Sequence, residues 1–169
     1  MTGPACQAAF AAYARRDFAA WTGLAAGCDL DDLRAAGAHV DPEPVAGRLG
    51  SPVRSAPFYA VVLGEAAGPA RAWVADETVE LLDTELPAVP GGAAALAALG
   101  PPAVRRAARW DVIELDDGEW VWPERGLAAL VGGDGTHVLR LLAFVPAPLP
   151  AYDERLRPGF GAREFRAGP

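Results

Sequence analysis

The stretch from Trp110 to Phe144, WDVIELDDGEWVWPERGLAALVGGDGTHVLRLLAF, leaves the chain little freedom in what it can become. Apolar runs rich in Val, Leu and Trp alternate with short Gly-bearing breaks, the pattern of three strands joined by two turns. A β-meander of this kind exposes an apolar face that another layer must cover. The rest of the chain therefore has to pack on this meander or repeat it.

A repeat is visible. Ala72 to Pro87 (AWVADETVELLDTELP) is similar to Ala129 to Pro146, with Asp76, Thr78 and Leu81 standing 58 residues before Asp134, Thr136 and Leu139. Strand-like aromatics precede each copy (Phe58 and Tyr59; Trp120 and Trp122), and a short Gly-flanked helix precedes those (Asp29 to Ala36; Ala93 to Leu99). Helix, loop and three strands thus occur twice, as duplication of one supersecondary unit predicts. Joined edge to edge, two such units give an α+β fold: tandem helix-loop-β-meander units forming one antiparallel sheet, with helices packed on one face. We expect a single domain over 1–169, with an N-terminal helix and first unit in 5–86, a second unit in 87–150 and a C-terminal tail in 151–169, where Tyr152 to Leu156 make a last helical turn and 157–169 are mobile.

The flanking segments fit that plan. In residues 5–21, Phe10, Tyr13, Ala14, Phe18 and Trp21 recur at three- and four-residue steps, an apolar helical stripe. Asp29 is placed to cap a short helix with Asp31 and Asp32 in its first turn, and Gly37 to end it. Residues 39–57 carry four prolines and read as a loop with a short strand around Arg48 and Leu49. The Asp116-Asp117-Gly118 tripeptide reads as a hairpin turn.

The second unit carries a family resemblance. A short helix ending in Leu99-Gly100-Pro101-Pro102, an arginine-rich spacer (Arg105 to Arg109), the aromatic strand EWVWPERGLAALV, an Asp-Gly turn and the final strand VLRLLAF resemble the small αβ unit of bacterial outer-membrane-assembly lipoproteins. The β-lactamase-inhibitory proteins use that unit in tandem. The resemblance covers roughly 91–144 well and 27–86 less closely, and what it implies is the fold.

A net charge of −7 argues against nucleic acid, whose phosphates reward a basic face. All 15 basic residues are Arg, so no Lys can serve as a Schiff base or a phosphate-binding cation. With abundant Ala, Gly and Pro, the absence of Lys reads as the coding bias of a GC-rich bacterial genome. No apolar run approaches the ~18 residues of a membrane span, and no secretion-signal pattern opens the chain. A cytoplasmic protein is expected. In that compartment Cys6 and Cys28, whose spacing matches no metal or redox motif, are expected as reduced, partly buried thiols.

Catalytic signals are thin. The acidic cluster Asp111, Glu114, Asp116, Asp117, Glu119 and Glu124 lacks the spacing of a calcium loop, and no metal or cofactor is expected. His39 and His137 are the only histidines, and Ser51 and Ser55 sit in no nucleophile-elbow pattern. Asp83 and Glu85 share one strand face and, with Tyr59, are the candidates for acid–base chemistry under the Pro-rich loop. The aromatics carry more. Trp120 and Trp122 share a strand face by alternation, Trp73 occupies a related strand, and Arg125 and Arg140 stand nearby in sequence. They suggest an aromatic platform for a protein partner or a small apolar ligand.

The leading expectation is a non-catalytic binding or accessory protein, immunity- or inhibitor-like, that presents an aromatic sheet face to a protein partner. The alternative is a small-molecule-binding protein or small cyclase-like or self-resistance enzyme of specialised metabolism. An uncovered edge strand would also allow a homodimer.

Overall fold

The computed structural model describes residues 3–64, 68–86, 92–110, 112–132 and 135–159. Helices α1 (Gly3–Arg15) and α2 (Leu30–Ala35) precede strands β1 (His39–Val40), β2 (Val45–Leu49), β3 (Arg54–Val62), β4 (Pro69–Ala75) and β5 (Thr78–Glu85). A 3₁₀ segment (Gly92–Leu99) leads into β6 (Val104–Trp110), β7 (Ile113–Trp122), β8 (Leu127–Gly132) and β9 (His137–Phe144). The strands form one antiparallel sheet in the order β1-β3-β4-β5-β9-β8-β7-β6, with β2 sharing the β1 edge of β3. No helix among the described residues is long and apolar enough to cross a membrane.

The architecture is two meanders, β3-β4-β5 and β7-β8-β9, joined through their last strands. At the seam Asp83 lies opposite Leu142, flanked by Leu82 opposite Ala143 and Thr84 opposite Leu141. Each meander carries a one-residue irregularity at a matching place. Glu80 is skipped between the Trp73–Leu81 and Val74–Val79 pairs, and Leu139 between the Leu130–Arg140 and Val131–Val138 pairs. Such bulges re-aim the alternation, so Val79 and Leu81 end on opposite faces of the sheet.

One face packs under α1, α2 and the 3₁₀ segment, around Phe10, Tyr13, Leu33, Leu82, Leu96 and Leu141. Tyr13 pins α1 to the seam. Its hydroxyl donates to the Leu141 carbonyl (2.8 Å) and pairs with Thr84 Oγ1 (2.8 Å), and those two residues face each other across β5 and β9. Burial holds the phenol well above its ordinary pKa, so it acts as a fixed hydrogen-bonding post. The other face packs around Trp73, Leu81, Leu142 and Phe144, under a strap formed by residues 149–159. There the Tyr152 ring stacks on Phe144 with centroids 4.9 Å apart.

Local chemistry explains most boundaries. The Asp29 side chain accepts from Asp32 N while the Asp32 side chain accepts from Asp29 N, a full capping box for α2. α1 stops at Arg15, two turns short of the expected end, because Arg16 takes a positive φ of 53°. Phe18 and Trp21 still reach the core, carried by the following loop. Residues 39–57 hold β1, β2 and the start of β3; the short strand expected around Arg48 and Leu49 is the end of β2, and the rest of the span was expected as loop. Pairing of β1 and β2 with β3 supplies the order that Pro and Gly obscure in the sequence.

Three expectations are corrected. Asp116-Asp117-Gly118 is no hairpin turn. It is a bulge inside β7, where three residues oppose Ala107 alone, and a Cβ on Gly118 would lie 2.4 Å from that of Leu115. The first turn of the meander is instead Pro123 to Gly126, where Gly126 takes φ 58° and its Cβ position lies 2.1 Å from the Phe144 carbonyl. The expected Gly-rich turn after β8 falls partly on residues 133 and 134, outside the described residues. The helical turn expected at Tyr152 to Leu156 is present, but the start of the expected mobile end is packed in place: the Arg157 carbonyl accepts from Gly50 N (3.0 Å), beside the Glu154 carbonyl, which accepts from Ser51 N (3.2 Å). Residues 160–169, also assigned to that tail, lie outside the described residues.

The two cysteines are not reduced thiols. Cys6 and Cys28 form a disulfide, with Cα atoms 5.6 Å apart and both side chains fully buried. Sequence spacing alone could not bring α1 onto the residue preceding the Asp29 cap; packing of both on the sheet does. The Asp32 carboxylate lies within 4.8 Å of both sulfurs, but disulfide sulfurs are not metal ligands. By the chain-entropy model, closing a loop of this length contributes about 3 kcal/mol. The Cys6→Ser/Cys28→Ser variant should lose about that much stability in urea unfolding, and reductant should lower the wild-type midpoint while leaving the variant's unchanged.

Candidate functional site

Two buried ionic networks occupy the strap face. In the first, Asp83 sits at the seam with no exposed surface. Arg140 grips it with two parallel bonds, Nε to Oδ1 at 2.7 Å and Nη2 to Oδ2 at 2.6 Å. Arg71, its cross-strand neighbour, places Nε 3.3 Å from Oδ2, and Trp73 Nε1 donates to the same oxygen at 3.4 Å. Arg71 also bonds the exposed Glu85 at 2.7 Å. Burial pushes the Asp83 carboxyl up, but the Arg140 charge and hydrogen bonds, with help from Arg71 and Trp73, hold it below its ordinary value near 3.8. A carboxylate locked in this way is a poor proton shuttle at neutral pH.

The second network ties the strap down. Glu119, also fully buried, accepts from Arg106 Nε (2.6 Å), Arg157 Nε (3.0 Å) and the Tyr152 hydroxyl (3.0 Å). Arg106 continues to Asp153 of the strap through two further bonds. Burial first, then the Glu119 charge, holds the Tyr152 phenol well above its ordinary pKa, which keeps its proton on the bond to Glu119.

A groove opens on the helix side, where the 3₁₀ segment stops short of the β6–β7 hairpin. It is lined by the buried Leu96 and Trp122, by the partly buried Trp120, by Ala93 and Ala97, by Gly100 to Pro102 and by Thr136. Its volume is about 580 Å³, within the range of ligand-sized clefts. The indole planes lie 66° apart with centroids separated by 6.3 Å. Both indole N–H groups are spent on backbone carbonyls, Trp122 on Gly100 (3.0 Å) and Trp120 on Asp117 (2.8 Å). What the walls offer is therefore ring surface. Over Trp120, its cross-strand neighbour Arg105 places its guanidinium carbon 4.0 Å from the ring centroid, a cation–π contact.

The expected site residues do not form one cluster. Trp120 and Trp122 share the groove. Trp73 and Arg140 lie together on the opposite face, around Asp83. Arg125, in the turn between β7 and β8, donates to the Trp21 carbonyl. Asp83 and Glu85 do share a face, whereas Tyr59 packs against the helix-side core. Arg105, Arg106, Glu119 and Tyr152 were not singled out by sequence reasoning. Alternation along β7 did place Glu119 opposite in facing to Trp120, the one local signal that the acid cluster was not uniformly solvated.

No family model matches the chain, and no curated protein or solved structure shows a significant similarity to it.

The Asp83 geometry has a consequence for acid stability. A carboxyl whose folded pKa is depressed contributes its full stabilisation above the ordinary value and loses it as pH falls through the folded one. Asp83→Asn leaves Arg140 buried without its counter-charge and should cost about 3 kcal/mol at neutral pH. Urea midpoints measured from about pH 5 to pH 2 should fall more steeply for wild type than for this variant.

Proposed function

We propose that the chain is a non-catalytic binding protein whose recognition surface is the groove of Trp120, Trp122 and Arg105. The observation that carries this reading is the Arg105 guanidinium stacked on Trp120 beside an apolar cleft. Other arginines of the sheet, among them Arg54, Arg71, Arg106, Arg109 and Arg140, are committed to carboxylates, as is Arg157 of the strap. Arg105 forms no ion pair among the described residues. The size and apolar lining of the groove support a small apolar ligand as the occupant, and both faces of the sheet carry cover. The accessory role goes with this: the ligand is held and not transformed, since Asp83, the best-placed candidate acid, is spent on Arg140 and Arg71.

A second reading, an inhibitor- or immunity-like factor that engages a protein partner, has one observation in its favour. Val112 and Ile113, at the tip of the β6–β7 hairpin, are 79% and 57% exposed. Under either reading we take the two meanders as copies of one αβ unit within a single domain, in keeping with the resemblance to the β-lactamase-inhibitory proteins. The seam register and the paired irregularities at Glu80 and Leu139 support that kinship. The buried Cys6–Cys28 disulfide supports an oxidising compartment over the cytoplasm.

Native mass spectrometry after incubation with lysate of the source organism tests the reading. Wild type should carry a small-molecule adduct that Trp120→Ala loses; because Trp120 packs partly against the helix-side core, the variant should also lose about 2 kcal/mol in urea unfolding while keeping the wild-type far-UV circular dichroism. A protein-sized adduct that persists in Trp120→Ala would move the binding surface to the hairpin tip. Turnover of an added metabolite would overturn the non-catalytic reading.

A further inference from the structure

Resting on the groove assigned above, we infer that its ligand is a small amphipathic carboxylate: one aromatic ring or branched hydrocarbon bearing a single carboxylate group. Four features of the groove select that chemistry. First, Arg105 is the one charged side chain among the described residues that line it, so the occupant gains from one negative charge and no more. A phosphate or a nucleotide, with two or more charges, would need further cations that the lining lacks.

Second, the way Arg105 is held suits a carboxylate. Its guanidinium lies over Trp120 with the cationic carbon 4.0 Å from the ring centroid. A guanidinium carries five N–H donors in a planar fork that matches two carboxylate oxygens, and none of the Arg105 donors is committed to a carboxylate among the described residues. Its neighbour Arg106 points to the opposite face and is consumed by Glu119 and Asp153. The two adjacent arginines are thus divided by strand alternation, one into structure and one toward the groove.

Third, both indole N–H groups are satisfied within the protein. Thr136 is then the one neutral polar side chain among the described lining residues, while a ligand's hydrocarbon finds Leu96, Ala93, Ala97 and the two indoles. The body of the ligand belongs at the base by Trp122 and its acid at the rim by Arg105. Fourth, the chain as a whole carries a charge of −7. Long-range steering repels an anion, so affinity must come from contact inside the groove. Binding should therefore weaken only slightly with added salt, as one screened ion pair requires.

The test uses 3-phenylpropionate, its neutral amide and the matching amine, 3-phenylpropylamine, with the full chain, by isothermal titration calorimetry and tryptophan fluorescence. The acid should bind at least tenfold more tightly than the amide, and the amine should not bind. Arg105→Gln should equalise acid and amide while retaining the amide's affinity, and Arg105→Lys should restore part of the preference. Arg105 is exposed on an edge strand, so both variants should keep the wild-type urea midpoint. Trp120→Ala should abolish binding of acid and amide together. If the amide binds wild type as well as the acid does, or Arg105→Gln keeps the preference, the carboxylate assignment fails while the groove stands. If binding survives Trp120→Ala, or no probe binds at all, the groove reading fails with it.

Discussion

The pairing of β5 with β9 is the contact on which the rest of the molecule depends, because it turns two three-stranded meanders into one sheet. A lone meander leaves an edge and a marginal core; joined at Asp83 and Leu142, the two share a continuous apolar layer on each side. The seam is fastened on both faces. Tyr13 reaches it from α1 on one side, and Arg140 clamps Asp83 on the other. A buried ion pair is weak evidence for net stability. Its value here lies in register: a one-residue slip would turn Asp83 toward the helix-side core and leave Arg140 without its partner.

Fastening the seam decides what remains available for function. The strap brings Tyr152 and Asp153 down onto β6, β7 and β9, and the Glu119 network leaves that face filled with structural charge. On the helix side the cover is uneven. α2 lies against β1, α1 is pinned over the β5–β9 seam by Tyr13, and the 3₁₀ segment rests on β9. The β7 and β6 end is left with Trp120 and Arg105 as its lining. The groove is a consequence of two unequal helical covers on a nearly symmetric sheet.

Much of the fold is legible in the residues themselves. Alternation gave the strands around Phe58, Trp73, Leu81, Trp120 and Leu141, and Asp29 as a cap announced α2. Asp76 and Glu77 form the turn between β4 and β5, both at positive φ (49° and 64°), the conformation a two-residue hairpin turn demands. The misreadings share a cause. Asp-Asp-Gly is equally suited to a turn and to a bulge, and only the partner strand β6 distinguishes them. The arginine-rich spacer became that strand because Arg105, Arg106 and Arg109 each found a place on one face or the other.

The α+β class, the runs of strands and the placing of Trp120 with Trp122 on one face are already present in the residue pattern. Each of these follows from the pitch of the backbone acting over a few residues. Which acids are buried, that Cys6 meets Cys28, that the chain after Pro148 is a strap, and that Arg105 stands over the groove while Arg106 does not are set by the packed fold. Those outcomes rest on contacts between residues far apart in the chain, such as Arg140 with Asp83 and Arg106 with Asp153, 57 and 47 positions apart. Register and layer packing set such meetings, and neither is written in any local window of the sequence.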